Sequence, residues 1–262
     1  MKAARGISGL LIDLDGVLYV GGEVIPGALE ALAELRAAEI PFRFVTNTST
    51  RTAASLQKKL ARLGFVVREE EIFSAVTATL GYLRALGGPP PSVHAVVRDA
   101  VLPDFREFPR EDEQPDYVVI GDIGANWSYG LMNRIFRQLH AGARLLAMHR
   151  NRFFMAEDGL HVDIGCFVAG LEHVSGQEAV VIGKPNRAFF EAALASLGCQ
   201  PEEVGMIGDD LESDVGAAQR LGIRGIQVRT GKFSQSQLEA SSVVPDAVLG
   251  SISELPSWLR EY

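Results

Sequence analysis

Two aspartates, Asp13 and Asp15, stand one residue apart at the end of an apolar run, SGLLIDL (8–14), and Gly16 follows at once. Residues two apart on a strand project to the same side, and a turn at the glycine can converge them as well. Two carboxylates held this close repel each other unless a cation neutralises them. Mg2+ suits the role, because it takes hard oxygen ligands, is satisfied by one or two carboxylates and keeps waters for a substrate phosphate. A third acid, Asp209, closes another apolar run, GMIGD (205–209), with Asp210 and Asp214 near enough in sequence to orient it. Thr46 and Asn47 end the run PFRFVTN (41–47), and Lys184 follows AVVIG (179–183). These offer hydroxyl, amide and ammonium donors, which a transferring phosphoryl group needs because its charge spreads over its oxygens. One carboxylate can then act as nucleophile and carry an aspartyl-phosphate. A second can protonate the leaving oxygen and deprotonate the water that follows. Taken singly, a strand-end aspartate is often a turn or cap residue, and Thr46-Asn47 and Lys184 read as turn chemistry and a solvated lysine. The joint pattern is what points to phosphoryl transfer.

Rival chemistries lack their residues. All five histidines (His94, His140, His149, His161, His173) fall in the middle of the chain, so the flanking segments that carry the aspartates have no histidine for a Ser-His-Asp triad or a phosphohistidine. Neither Cys166 nor Cys199 opens a Cys-x5-Arg loop, and the two form no CxxC pair. The stretch GIQVRTGKF (225–233) imitates a P-loop but is one residue too long and has Phe233 where Ser or Thr is required.

The elements that must position these residues alternate strand and helix. SGLLIDL and PFRFVTN read as buried parallel strands. A helix runs from Pro26-Gly27 to about Ala38, and a second carries Leu56, Leu60 and Leu63 on one face with Ser49 or Thr50 as its cap. After the breaker run GGPPPS (87–92) comes another small α/β unit: VHAVV (93–97), DYVVIG (116–121), a helix over about 128–141, RLLAMH (144–149), an irregular or hairpin stretch, and a helix near 166–174. Asn126, Trp127 and Tyr129 read as helix-start and packing residues. The first grammar then resumes with the strand AVVIG (179–183), a helix over 186–197, the strand GMIGD, a helix over 212–221 and the strand RGIQV (224–228). The expected fold is α/β, a doubly wound parallel sheet over 1–78 and 179–262 with an inserted α/β domain at 79–178. The five lysines (Lys2, Lys58, Lys59, Lys184, Lys232) all lie outside the histidine-bearing middle, as two modules would have it. In such a sheet the ligand sits at the carboxyl ends of the strands, where the acids, Thr46, Asn47 and Lys184 fall.

The bulk numbers set limits on partners. A net charge of −8 argues against a nucleic-acid backbone, whose neutralisation needs clustered Lys and Arg. No uncharged apolar run reaches membrane-span length, the N-terminus does not read as a signal peptide, and two unpaired cysteines suit a reducing cytoplasm. The expected partner is a small phosphorylated substrate.

Four segments together, LLIDLDGVLY (10–19), FVTNTS (44–49), GKPN (183–186) and MIGDDLESD (206–214), resemble in order, spacing and placement the motifs of the haloacid dehalogenase (HAD) superfamily of phosphohydrolases. An insertion between the second and third motifs is similar to the large α/β cap of subfamily IIA, the NagD-like group. The resemblance implies a Mg2+-dependent phosphatase. Asp13 would be nucleophile and metal ligand, and Asp15 general acid/base, giving the metal its backbone carbonyl. Thr46 and Asn47 would hold phosphoryl oxygens, and Lys184 would pair with nucleophile and phosphate. Asp209 would be a metal ligand, with Asp214 and Asp210 supporting it. It also implies a cap that closes over the site and selects substrates, and a cap-mediated homodimer. His149, Arg150 and Arg152 form a basic cluster in the inserted segment, read either as a solvated face or as a substrate contact. Two other classes share part of the pattern. A phosphate-responsive signalling protein would hold phosphate without turnover, and a phosphomutase would pass it to a second acceptor instead of water.

Overall fold

The computed structural model describes residues 6–156 and 159–260. Along the chain the elements are β1 (Gly9–Asp13), a small hairpin β2 (Tyr19–Val20) and β3 (Glu23–Val24), α1 (Ala28–Ala37), β4 (Phe42–Thr46), α2 (Ala53–Arg62), β5 (Ile72–Ser74) and α3 (Ala75–Ala85). Next come β6 (Val93–Val96), β7 (Tyr117–Ile120), α4 (Tyr129–His140), β8 (Arg144–Ala147), β9 (Phe153–Ala156), β10 (Gly159–Val162), α5 (Gly165–Ser175) and β11 (Val180–Val181). The chain finishes with α6 (Arg187–Leu197), β12 (Val204–Gly208), a π-helical turn (Leu211–Gly216) running into α7 (Ala217–Gln219), β13 (Arg224–Val228), α8 (Gln235–Ala240), β14 (Ala247–Leu249) and α9 (Leu255–Arg260). Among the described residues no helix is long and apolar enough to cross a membrane.

Among the described residues two compact units form, one from 6–46, 56–73 and 184–260, the other from 47–55, 74–156 and 159–183. The first is built on a six-stranded sheet in the order β14-β13-β12-β1-β4-β5. β1 lies in its middle, parallel to β12 on one side and β4 on the other. Every residue of β1 and β12 is buried, which is why both read as unbroken apolar runs and not as alternating ones. Because the two strands are parallel neighbours, their C-terminal ends are adjacent, so Asp13 and the Gly208-Asp209 step emerge side by side. β13 and β14 extend the same parallel register.

The second unit has a parallel four-stranded sheet in the order β11-β8-β7-β6. Val118, Ile120 and Leu145 pack with Ile135 and Leu139 of α4 and Val168 and Leu171 of α5 in one core. Burying each such side chain is worth about 1.5–3 kcal/mol before conformational entropy is subtracted. Trp127 stacks on Phe167 with ring centroids 4.2 Å apart, whereas Tyr129, the first residue of α4, is exposed.

Three local expectations change. The strand read at 179–183 as resuming the first sheet instead pairs with β8, in the second unit's sheet. Its pattern is the same hydrophobic run either way, so sequence could not assign it to a sheet. The helix read at 212–221 begins as a π-turn, because Val215 N–H bonds back to the Asp210 carbonyl, five residues earlier. The cap of α2 is Thr52, whose hydroxyl accepts from Ser55 N–H, and not Ser49 or Thr50. Ser49 is buried elsewhere: its Oγ lies 3.1 Å from His149 Nε2 and accepts from Asp122 N–H.

Candidate functional site

The C-terminal ends of β1 and β12 deliver the acids of the first unit. Asp13, Asp209 and Asp214 each offer a carboxylate oxygen within 4.8 Å of the other two, and all three are buried. Asp214 reaches this group from the π-turn beneath Gly208, where a Cβ would overlap its carboxylate. Its Oδ2 accepts from Asp210 N–H. Asp210 is itself a cap, its Oδ1 accepting from Glu212 and Ser213 N–H, which fixes the turn that presents Asp214.

Lys184 enters the middle of the group. It is only 3% exposed, with Nζ 2.7 Å from Asp13 Oδ1 and 2.6 Å from Asp214 Oδ1. Burial works to lower its ammonium, but the two carboxylates overcome that and hold it above its ordinary value. Burial raises the Asp13 carboxyl, with Lys184 opposing. Burial, followed by the charges of Asp13 and Asp214, pushes Asp209 up to about 8. Asp214 rises to about 7 through burial and the charge of Asp13, opposed by Lys184. Asp210 is lowered: burial would raise it, but the Ser213 N–H and Lys232 prevail. Three buried carboxylates around a single buried ammonium make a site that favours a further cation or protons. The donor set is entirely hard oxygen, which suits a divalent ion such as Mg2+.

The Asp15 carboxylate is not one of this trio. It is exposed, and its Oδ2 accepts from the hydroxyl of buried Tyr19 at 3.2 Å. The Lys59 ammonium lies 3.8 Å over the Tyr19 ring. Thr46 is buried at the end of β4 in the first unit. Asn47, the next residue, belongs to the second unit, where its amide donates to Asn151 Oδ1 at 3.2 Å. The basic stretch is not one solvated face: His149 is buried against Ser49, Arg150 pairs with Glu172 at 2.6 Å, and Arg152 is exposed.

Sequence reasoning missed the turn after β13. Thr230 Oγ1 donates to the Gly16 carbonyl, Gly231 packs on Gly16 and Asp209 with φ +62°, and Lys232 N–H donates to Asp209 Oδ2 at 2.7 Å. A side chain at Gly16 or Gly231 would overlap the Asp209 carboxylate, so both must be glycine for this carboxylate to lie where it does. TGKF was the available signal, set aside as a failed P-loop.

The sequence matches a family model described as haloacid dehalogenase-like hydrolase over residues 10–108, and a HAD-hydrolase-like model over 181–255. It is 40% identical over 245 residues to human haloacid dehalogenase-like hydrolase domain-containing protein 2, covering 94% of this chain and 93% of that protein. The chain belongs to the haloacid dehalogenase-like hydrolase family. This HAD protein is also 38% identical over 263 residues to the bovine phospholysine phosphohistidine inorganic pyrophosphate phosphatase, covering 98% of this chain and 96% of that one. Among solved structures it is similar to the p-nitrophenyl phosphatase from Archaeoglobus fulgidus, with a TM-score of 0.90 and 28% identity over 96% of this chain and 99% of that one. It is a HAD-family phosphatase, with the mixed α/β fold and parallel sheets of that family.

Proposed function

We propose that the protein is a Mg2+-dependent phosphatase that hydrolyses a small phosphorylated metabolite through an aspartyl-phosphate on Asp13. The substrate is a phosphomonoester, or a phosphoramidate or pyrophosphate of the kind named for its bovine relative. The observation that carries the reading is the Asp13 carboxylate, buried with Asp209 and Asp214 and bonded to Lys184 at 2.7 Å. A carboxylate kept there for stability alone would be a poor choice, since a buried ion pair seldom outperforms apolar packing.

The Asp13 and Asp209 carboxylates and the Asp15 carbonyl would hold Mg2+, with Asp214 and Asp210 fixing their positions. When bound, the ion neutralises carboxylate and phosphoryl charge and lets an anionic nucleophile meet an anionic substrate. Lys184 holds one oxygen of Asp13 and shields its charge from Asp214. An Asp13 oxygen forms a bond to phosphorus as the bond to the leaving oxygen breaks, and Asp15 donates its proton to that oxygen. Tyr19, bonded to Asp15 Oδ2, limits the rotation of this carboxyl. Asp15, now a carboxylate, takes a proton from the water that attacks phosphorus, releasing phosphate and restoring Asp13. Thr46 and Asn47 would donate to the phosphoryl oxygens.

Asp13→Asn tests the reading. Turnover of p-nitrophenyl phosphate with Mg2+ should fall by roughly 10³-fold or more, while the far-UV circular dichroism stays that of the wild type. Wild-type turnover in this variant would remove Asp13 as the nucleophile.

A further inference from the structure

Lys184 is buried and already bonded to both Asp13 and Asp214. Lys232 is a second ammonium beside the same acids, and it is differently placed. Its backbone N–H grips Asp209 Oδ2 at 2.7 Å. Its side chain is 46% exposed, and Nζ reaches Asp210 Oδ2 only at 3.5 Å, longer than a strong charge-assisted bond. The turn that carries it is anchored on the nucleophile loop through Thr230 and Gly16 and on Asp209 through Gly231. Its backbone is therefore fixed while its ammonium remains at the solvent side of the carboxylates.

That side matters because of how phosphoryl transfer runs. The attacking and leaving oxygens lie roughly in line through phosphorus. With Asp13 as the attacking group, the leaving group points away from it. Asp13, Asp15, Asp209, Asp210 and Asp214 still outnumber the charges of Lys184 and a bound Mg2+, five against three, so a leaving group that itself carries negative charge is favoured when a further cation meets it.

We propose that Lys232 is a specificity-determining residue that binds a second phosphate group, adjoining the one transferred, and so favours substrates such as pyrophosphate over esters with uncharged leaving portions. The inference rests on the phosphatase reading above. Because the grip on Asp209 is made by the main chain, substitution of the side chain separates charge recognition from the support of Asp209.

The experiment compares wild type, Lys232→Met and Lys232→Arg on two probes with Mg2+: inorganic pyrophosphate and p-nitrophenyl phosphate. The ratio of kcat/KM for pyrophosphate to that for the ester should fall about tenfold in the methionine variant, mainly through KM, as expected for loss of one nearby half-exposed charge. Arginine should restore the ratio to within about threefold. Added KCl at about 0.5 M should lower the wild-type ratio toward that of the methionine variant. Equal losses on both probes, or no recovery with arginine, would overturn the proposal and leave Lys232 as a structural counterion of Asp210. Wild-type turnover of the ester with none of pyrophosphate would overturn it too, while sparing the phosphatase reading. Turnover of neither probe by folded wild-type protein would remove both.

Discussion

Lys184→Met keeps most of the side-chain volume but removes the ammonium 2.7 Å from Asp13 Oδ1 and 2.6 Å from Asp214 Oδ1. Removing one partner of a buried ion pair costs about 3–5 kcal/mol when the remaining charge has no escape. Here there is one: the carboxyls can take up protons. Asp13 and Asp214 already sit above the ordinary carboxylate range, Asp214 at about 7, with Lys184 opposing the rise in both. Without Lys184 they rise further. An acid raised on folding costs stability above its unfolded value, and the cost grows until the folded value is passed. The variant should therefore lose about 3–5 kcal/mol near pH 8 but roughly 2 kcal/mol less near pH 5.5, where the carboxyls are protonated. For a chain of this size the loss at pH 8 corresponds to a fall in Tm of about 6–15 °C. Thermal unfolding in chelator at the two pH values measures this, and p-nitrophenyl phosphate turnover should fall at least about 10³-fold in parallel. An equal loss of stability at both pH values would refute the reasoning, since it would mean that Lys184 acts by packing and not by charge.

Other outcomes follow from the same geometry. With Asp209 at about 8 and Asp214 at about 7, the chelated wild type binds more protons folded than unfolded between about pH 4 and 8. Its stability should fall with rising pH by about 1.4 kcal/mol per unit for each group still protonated, and stabilisation by Mg2+ should grow over the same window because the ligands must be deprotonated. An Mg2+-dependent Tm shift equal at pH 5.5 and 8.5 would contradict this. Gly231→Ala places a Cβ on the Asp209 carboxylate at φ +62° and should cost about 2 kcal/mol or more together with most ester turnover. Gly222→Ala, at φ +87° but with its nearest neighbour 3.5 Å away, should cost about 1 kcal/mol in urea unfolding and leave kcat near wild type.

The sequence by itself determined the alternation of strands and helices, because parallel strands buried on both faces must be continuous apolar runs and β1 and β12 are such runs. It also placed Asp13, Thr46 and Asp209 at or just past strand ends, since a charge is costly to carry into a buried strand. What it could not decide was which side chains meet. Asp214 read as a support for Asp209, yet the π-turn carries it beside Asp13 and onto Lys184, a result of helix geometry and the missing Cβ at Gly208. Ser49 looked like a helix cap and became a buried partner of His149, a hundred residues away, because capping is local while burial depends on the sheet above it. The strand near 180 had the composition for either sheet, and only its pairing with β8 chose one. The sequence assigns the Lys232 side chain no role in the site, since TGKF reads only as a P-loop that fails its pattern. Only the parallel order β1-β12-β13 sets its turn against Gly16 and Asp209, since adjacent parallel strands end side by side however far apart their residues lie in sequence.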